Sequence, residues 1–149
     1  MPLDQPPPQD GRAAAMRLFA LAPWDHFDSL TKNFVATPFD MVRAPETGLV
    51  MLRGRMGSTG AGFNLGEATV TRCSVRLAHG TEGHAYVMGR NAEHARRAAL
   101  CDALYQDEPE RFSVVMQSIA ALLDKGRKET ATKVAATKVD FFTMVRGDD

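Results

Sequence analysis

The sequence predicts one α+β domain, in which an antiparallel β-meander of about four strands is flanked by N-terminal and C-terminal α-helices. The chain has 149 residues, which suits a single domain with its own core. Its middle part alternates apolar and other residues with a period of two, whereas the flanking parts repeat apolar residues at i, i+3, i+4 and i+7. We therefore expect a disordered, proline-rich tail over residues 1–10 and one domain over residues 11–149.

Two short helices are predicted before the sheet. Asp10 is a candidate N-cap for a helix that places Met16, Phe19 and Ala20 on one stripe and ends before Pro23. A second helix follows that proline, and its buried side is predicted to comprise Phe27, Leu30 or Thr31, and Phe34.

The alternating part of the chain predicts four strands, at Phe39–Arg43, Leu49–Met56, Glu67–Leu77 and His84–Met88. A turn is expected at residues 44–48, because Pro45 fixes φ and Gly48 tolerates a positive φ. A long, mobile loop is expected from Gly57 to Gly66, because several glycines make that connection flexible. An antiparallel meander is the simplest arrangement of these strands.

Two further helices are predicted after the sheet. Asn91 can cap a helix that runs to about Tyr105, and small residues along it suggest close packing on the sheet. Pro109 suits the start of the next helix, which Gly126 is expected to end. Residues 128–138 form another helical segment.

Composition limits the classes of function. Lys plus Arg equals Asp plus Glu at 18 each, which argues against a nucleic-acid-binding protein that relies on general positive charge. The two cysteines, Cys73 and Cys101, have no CxxC spacing, and no secretory leader is recognisable. The apolar runs are too short for a membrane span. We expect a reduced, cytoplasmic protein whose electrostatic function is local.

Arginines alternate along the second and third predicted strands. If these strands pair, four arginines can share one sheet face beside the glycine-rich loop, where guanidinium groups and backbone N–H groups could bind phosphate oxygens. The predicted phosphate contacts are Arg53, Arg55, Gly57, Thr59, Gly60, Arg72 and Arg76. The alternative is that these arginines only solvate the outer face of a half-buried sheet.

Other motifs carry little chemistry. Residues 54–62 form neither a Walker A motif nor a GxGxxG turn before a helix. No metal site is predicted, since the histidines and cysteines lack ligand spacing. The acid–base candidates near the sheet are Glu46, Glu67 and His84, for which capping or surface roles are favoured, so the catalytic residues remain unknown.

The C-terminus is unusually apolar for a chain end. Termini are normally frayed and polar, so an apolar end either docks on the sheet or binds another chain. The predicted partner interface comprises Phe141, Phe142, Met144, Val145 and Arg146.

Five separated motifs resemble one family. They are VRAPETG at 42–48, RMGSTG at 55–60, FNLGEATVTR at 63–72, GR at 89–90 ahead of HA at 94–95, and VDFFTMVRGD at 139–148. Together they resemble PhnG, a subunit of bacterial carbon–phosphorus lyase, over roughly residues 12–148. The sequence departs from the family pattern at Ser58, where a further glycine is expected.

The resemblance implies a role in phosphonate catabolism, as an accessory subunit of a complex that also contains the H, I and J subunits. It implies a reaction, requiring the L subunit as well, in which a phosphonate displaces adenine from ATP to give ribose 1-methylphosphonate 5-triphosphate. Catalysis belongs to the I subunit in that family, and the J subunit later cleaves the carbon–phosphorus bond. The complex uses ATP with Mg as substrate, and no cofactor is expected on this chain alone. A purely structural assembly module and self-association of the isolated chain stay open.

Overall fold

The computed structural model describes residues 11–57 and 59–137 and confirms the α+β class. The described residues form four helices, two 3-10 turns and one sheet. The helices are α1 (Gly11–Leu21), α2 (Trp24–Thr31), α3 (Ala92–Asp107) and α4 (Ser113–Ala136), and the 3-10 turns are Lys32–Phe34 and Pro109–Phe112. The strands are β1 (Phe39–Arg55), β2 (Gly62–Leu77) and β3 (Glu82–Met88).

The sheet has three antiparallel strands in the order β1-β2-β3, not the four that were predicted. The first two predicted strands are one strand, because the expected turn at 44–48 lies inside β1. Register shifts between Met41 and Arg43, and between Arg43 and Glu46, interrupt the pairing there. β1 is an edge strand, and bulges on an edge tolerate Pro45, which has no N–H to donate.

The helices cover one face of the sheet. α3 packs directly on β2 and β3, and α1 packs on α3. Between the helices lies an aromatic cluster, in which the Phe112 ring is 5.6 Å from Phe19 and 4.8 Å from Phe34. The predicted buried residues Phe19 and Phe27 are fully buried. The helical stripes before the sheet are therefore confirmed, while the proposed cap Asp10 lies outside the described residues.

The α3 helix lies unusually close to β3. A Cβ at Gly83 would lie 2.5 Å from the backbone nitrogen of Ala103 and 2.8 Å from its Cβ. Alanines occupy the contact surface of α3, and all are buried: Ala95, Ala98, Ala99 and Ala103. The close packing that the small residues predicted is confirmed, and glycine is required on the strand opposite them.

The first prediction concerns this contact. Gly83→Ala should lower the free energy of unfolding by about 2 kcal/mol or more, because the added methyl group forces helix and strand apart. Gly48→Ala is the matched control, since a Cβ there has no neighbour within 4 Å. Urea denaturation of both variants measures the effect, and equal midpoints would contradict the packing described here.

A buried carboxylate joins three elements. Asp102 of α3 is 1% exposed, and its two oxygens accept bonds from Arg12 Nε at 3.0 Å and Arg12 Nη2 at 2.9 Å. The backbone N–H of His84 in β3 donates to Asp102 Oδ2 at 2.8 Å. Because each oxygen has a donor, the charge is compensated, and α1, α3 and β3 are fixed relative to one another.

We predict that Asp102→Asn destabilises the protein by about 2–4 kcal/mol, because the amide cannot accept all of these bonds and leaves a polar group poorly satisfied. Asp124→Asn serves as the control, since Asp124 forms an exposed ion pair with Lys128 within α4 and such pairs contribute little. Thermal unfolding of both variants compares the effect at the buried carboxylate with the effect at the exposed one. A midpoint shift no larger than that of the control would show that the buried pair does not anchor the fold.

The predictions for the two C-terminal helices are confirmed in part. Asn91 Oδ1 accepts from His94 N at 2.9 Å and caps α3, as predicted. Gly126 does not end α4, which continues to Ala136. One glycine costs a helix only about 1 kcal/mol relative to alanine, and an ion pair between Asp124 and Lys128 spans this turn. Within the described residues, no helix is both long and apolar enough to cross a bilayer.

Candidate functional site

The pairing of β1 with β2 extends well beyond the rest of the sheet. β3 pairs with β2 only from Val70 to Arg76, whereas β1 pairs with β2 as far as Gly62. Residues 49–69 therefore include a two-stranded ribbon, which we call the arm. From Thr69 to its end at Gly62 it spans about 24 Å at the usual strand rise. Its end carries most of the predicted phosphate contacts.

The register assigns the arm residues to faces. Leu49 lies opposite Thr69 and Met51 opposite Glu67, so these four share one face. Alternation along β2 connects Glu67 and Thr69 to Cys73, which is buried under the helices. This side of the arm is its inner face, continuous with the core side of the sheet.

The arm arginines lie on that inner face, and a bulge in β2 does not change this. The register shifts between Leu52 and Arg53, so that Leu65 is an extra residue in β2 and Arg53 lies opposite Asn64. β1 alternates without interruption there, and Arg53 and Arg55 therefore stay with Met51. The opposite, outer face of the arm comprises Val50, Leu52, Gly54, Phe63, Leu65, Gly66 and Ala68.

Arg72 and Arg76 lie on the outer face of the sheet, on the side opposite Arg53 and Arg55. Asn64 and Arg72 are eight positions apart on β2, which is about 26 Å of strand. The prediction that four arginines share one face is therefore wrong. The register that pairs Leu49 with Thr69 puts the odd-numbered residues of both strands on one face, so the even-numbered Arg72 and Arg76 lie on the other, and residue spacing alone does not reveal this register.

The outer face of the sheet body is balanced in charge instead of basic. Arg72 Nη2 lies 3.2 Å from Glu46 Oε2, which also accepts from Arg43. A hydrogen bond to Tyr86 and the charge of Glu46 raise the pKa of Arg72. Arg76 Nε donates to Glu82 Oε1 at 2.9 Å, and this bond lowers the pKa of the Glu82 carboxyl. Each of these arginines thus already has a carboxylate partner.

Arg53 and Arg55 differ from the body arginines. Both are exposed, and within the described residues neither forms an ion pair or a side-chain hydrogen bond that the structure records. Glu67 is the acidic residue of the inner face, but it lies beside Met51. The end of the arm is therefore a small surface of uncompensated positive charge.

The turn at the end of the arm is shorter than the predicted loop, because β2 already begins at Gly62. Gly57 has a φ of 66°, in the left-handed region that favours glycine. A Cβ at Gly60 would lie 3.0 Å from the carbonyl carbon of Met56. These two glycines are needed for the turn itself, and Thr59 lies between them. A phosphate-binding role for these residues stays a prediction.

The acid–base candidates lie apart. Glu46 is held by two arginines on the outer face, Glu67 is on the inner face of the arm, and His84 Nδ1 lies 2.9 Å from Ser74 Oγ. Among the described residues, no group of three His, Cys, Asp or Glu side chains could hold a metal ion. These residues do not assemble into one catalytic set.

Both cysteines are free and buried. Burial raises the pKa of Cys101 to about 12. It also raises the pKa of Cys73, although Arg96 lowers it in part. Each thiol therefore stays protonated near neutral pH, which does not suit a nucleophile or a metal ligand.

His94 is a structural histidine. Its Nε2 lies 2.7 Å from the carbonyl oxygen of Phe19, and its ring is 5.6 Å from Trp24 and 5.3 Å from Phe27. Since a carbonyl only accepts, Nε2 carries the proton and donates. Desolvation lowers the pKa of His94 below its ordinary value of 6.5, so the ring is neutral in the folded protein at neutral pH.

This environment predicts a pH dependence of stability. Below pH 6.5 the unfolded chain binds a proton at His94 that the folded chain does not, so stability is complete above that pH and falls as the pH decreases towards the folded pKa. The slope from one proton is at most about 1.4 kcal/mol per pH unit. Urea denaturation of wild type and His94→Gln between pH 5 and 7.5 tests it, and parallel curves would contradict the assignment.

The predicted partner interface at Phe141, Phe142, Met144, Val145 and Arg146 lies outside the described residues. The structure instead reveals exposed apolar side chains on the arm, which the sequence analysis did not single out as a surface. Leu49 is 62% exposed, Met51 55% and Leu65 66%. Their alternation was visible in the sequence, but the absence of a covering element is a tertiary property.

Comparison with known proteins agrees with the resemblance. The family model described as phosphonate metabolism protein PhnG matches residues 10–147. A protein of Rhizobium meliloti (strain 1021), named alpha-D-ribose 1-methylphosphonate 5-triphosphate synthase subunit PhnG, is 48% identical over 147 residues, which cover 93% of this chain and 90% of the relative. The match spans both the sheet with its arm and the flanking helices, and on this evidence the chain belongs to the PhnG family of phosphonate metabolism proteins.

Proposed function

We propose that this chain is a non-catalytic, accessory subunit of a cytoplasmic carbon–phosphorus lyase complex. In the reaction that it supports, an oxygen of a phosphonate such as methylphosphonate forms a bond to C1′ of the ribose of ATP, which binds with Mg. The glycosidic bond breaks, adenine leaves, and the triphosphate stays on the ribose. Family membership and the name of the similar synthase subunit support this proposal.

One observation carries the accessory role. The acid–base candidates of the described residues point to separate regions, and Glu46 is already held by Arg43 and Arg72. Nucleophilic or acid–base catalysis requires such groups within hydrogen-bond reach of one another and of the substrate. We therefore assign the chemistry to the partner subunits, which in this proposal are H, I and J, with L required for the synthase step.

The arginines distinguish two ways in which this chain could support the reaction. In the first, predicted phosphate contacts touch the triphosphate, and the arm end offers Arg53, Arg55, Gly57, Thr59 and Gly60 in one place. In the second, the chain only holds other subunits together. The ion pairs of Arg72 and Arg76 favour the second mode for the sheet body, because those guanidinium groups would have to exchange a carboxylate for a phosphate.

Reconstitution tests the proposed function. We expect the H, I and L subunits with this chain to release adenine from ATP and methylphosphonate, and the release to fall to background when the chain is left out. Adenine is measured by chromatography. An unchanged rate without the chain would refute its participation in the synthase step.

The same assay separates the two modes. If Arg53 and Arg55 contact the triphosphate, Arg53→Ala combined with Arg55→Ala should raise the KM for ATP by about tenfold or more, since each lost charged hydrogen bond costs about 1.5–3 kcal/mol. Arg127→Ala on α4 is the control for an exposed arginine far from the sheet. An unchanged KM in an intact complex would favour the assembly module.

A further inference from the structure

The arm is left uncovered by the rest of the described chain. Beyond Val70, β2 has β1 on one edge and no strand on the other, and the outer edge of β1 is free as well. A two-stranded hairpin is at best marginally stable in water by itself. Leu49 and Met51 on the inner face and Leu65 on the outer face are each more than half exposed. A ribbon of this kind requires a covering surface.

The two faces of the arm differ in polarity and charge, so they fit different partner surfaces. Within the described residues, the outer face carries no charged side chain, since it consists of Val50, Leu52, Gly54, Phe63, Leu65, Gly66 and Ala68. The ring of Phe63 covers Gly54, at 3.6 Å from where a Cβ would lie. The inner face carries Leu49 and Met51, with Glu67 opposite Met51, and it ends with two arginines. An occupant must therefore be apolar along one side and acidic at one end.

The ion pairs of the sheet indicate which chemical group a binding partner would have to supply. The other arginines of β1 and β2, which are Arg43, Arg72 and Arg76, each have a carboxylate within this chain. The structure records none for Arg53 and Arg55. Guanidinium groups next to apolar side chains are well suited to carboxylates at a protein interface, where Arg is enriched and the surrounding apolar contacts exclude water.

We propose that the arm inserts into a cleft of a partner subunit, with an apolar wall against the outer face and carboxylates beside Arg53 and Arg55. The proposal rests on the proposed function, because it requires the chain to work inside a multi-subunit complex. A phosphate ligand would match the arginines but not Leu49, Met51 or the uncharged outer face. The open strand edges add backbone N–H and C=O groups with which the cleft can pair.

Binding to the partner subunits, purified together without this chain, tests the proposal. Met51→Asp on the inner face and Leu65→Asp on the outer face should each weaken binding about thirtyfold or more, because a charge replaces a buried apolar anchor. Val114→Asp is the matched control, since Val114 is an exposed apolar residue of α4, at 70% exposure. We expect its affinity to stay within about twofold of wild type.

A charge-reversal pair tests the acidic end. Arg53→Glu combined with Arg55→Glu should weaken binding by about tenfold or more and reduce its dependence on salt. Arg127→Glu is the control. All variants should keep the thermal midpoint of wild type, because these side chains pack on nothing in the body. A photocrosslinking amino acid in place of Met51 should give an adduct with a partner subunit.

The outcomes are distinguishable. If wild type binds the subunits and the arm variants bind as well as their controls, the insertion is wrong while the proposed function stands. If wild type does not bind at all, both are wrong. Weakened binding of ATP with unchanged subunit binding would make a polyphosphate the occupant. Self-association lost in Met51→Asp, seen by sedimentation with unchanged subunit binding, would make it a second copy. Either result overturns the proposal.

Discussion

The buried carboxylate of Asp102 is the interaction on which the rest of the structure depends. It accepts hydrogen bonds from the Arg12 side chain of α1 and from the backbone N–H of His84 in β3. Three elements that are distant in sequence are therefore joined at one carboxylate. Beside it, Gly83 lets β3 approach the alanine surface of α3. Since the charge is compensated only in this arrangement, any other packing of α1 or β3 leaves a carboxylate buried without donors.

This rigid contact leaves the opposite end of the sheet free for function. α3 ends its cover of the sheet near Asn91 and Thr71, where Asn91 N donates to Thr71 Oγ1 at 3.3 Å, and the arm continues from there without a helix beneath it. The body therefore supports the arm at one end, and within the described residues the faces of the arm remain open.

Much of the fold followed from local patterns. The helical stripes with Phe19 and Phe27, the cap at Asn91 and the small residues of α3 depend on neighbours within a few positions, and they were predicted correctly. The turn at 44–48 and the helix end at Gly126 were wrong for a common reason. Proline and glycine were treated as terminators, but bulges in an edge strand tolerate the first and a long helix the second.

The sequence by itself determined the fold class, the family and the presence of arginines at alternating positions, because periodicity and motifs are properties of the chain. Only the tertiary structure decided which arginines share a face. The register of β1 on β2 pairs odd-numbered with odd-numbered residues, which separates Arg53 and Arg55 from Arg72 and Arg76. Carboxylates from β1 and β3 neutralise the arginines of the sheet body. What the sequence presented as one basic face is a balanced outer surface and a separate, uncompensated arm end, since pairing register and ion pairs both depend on residues far apart in the chain.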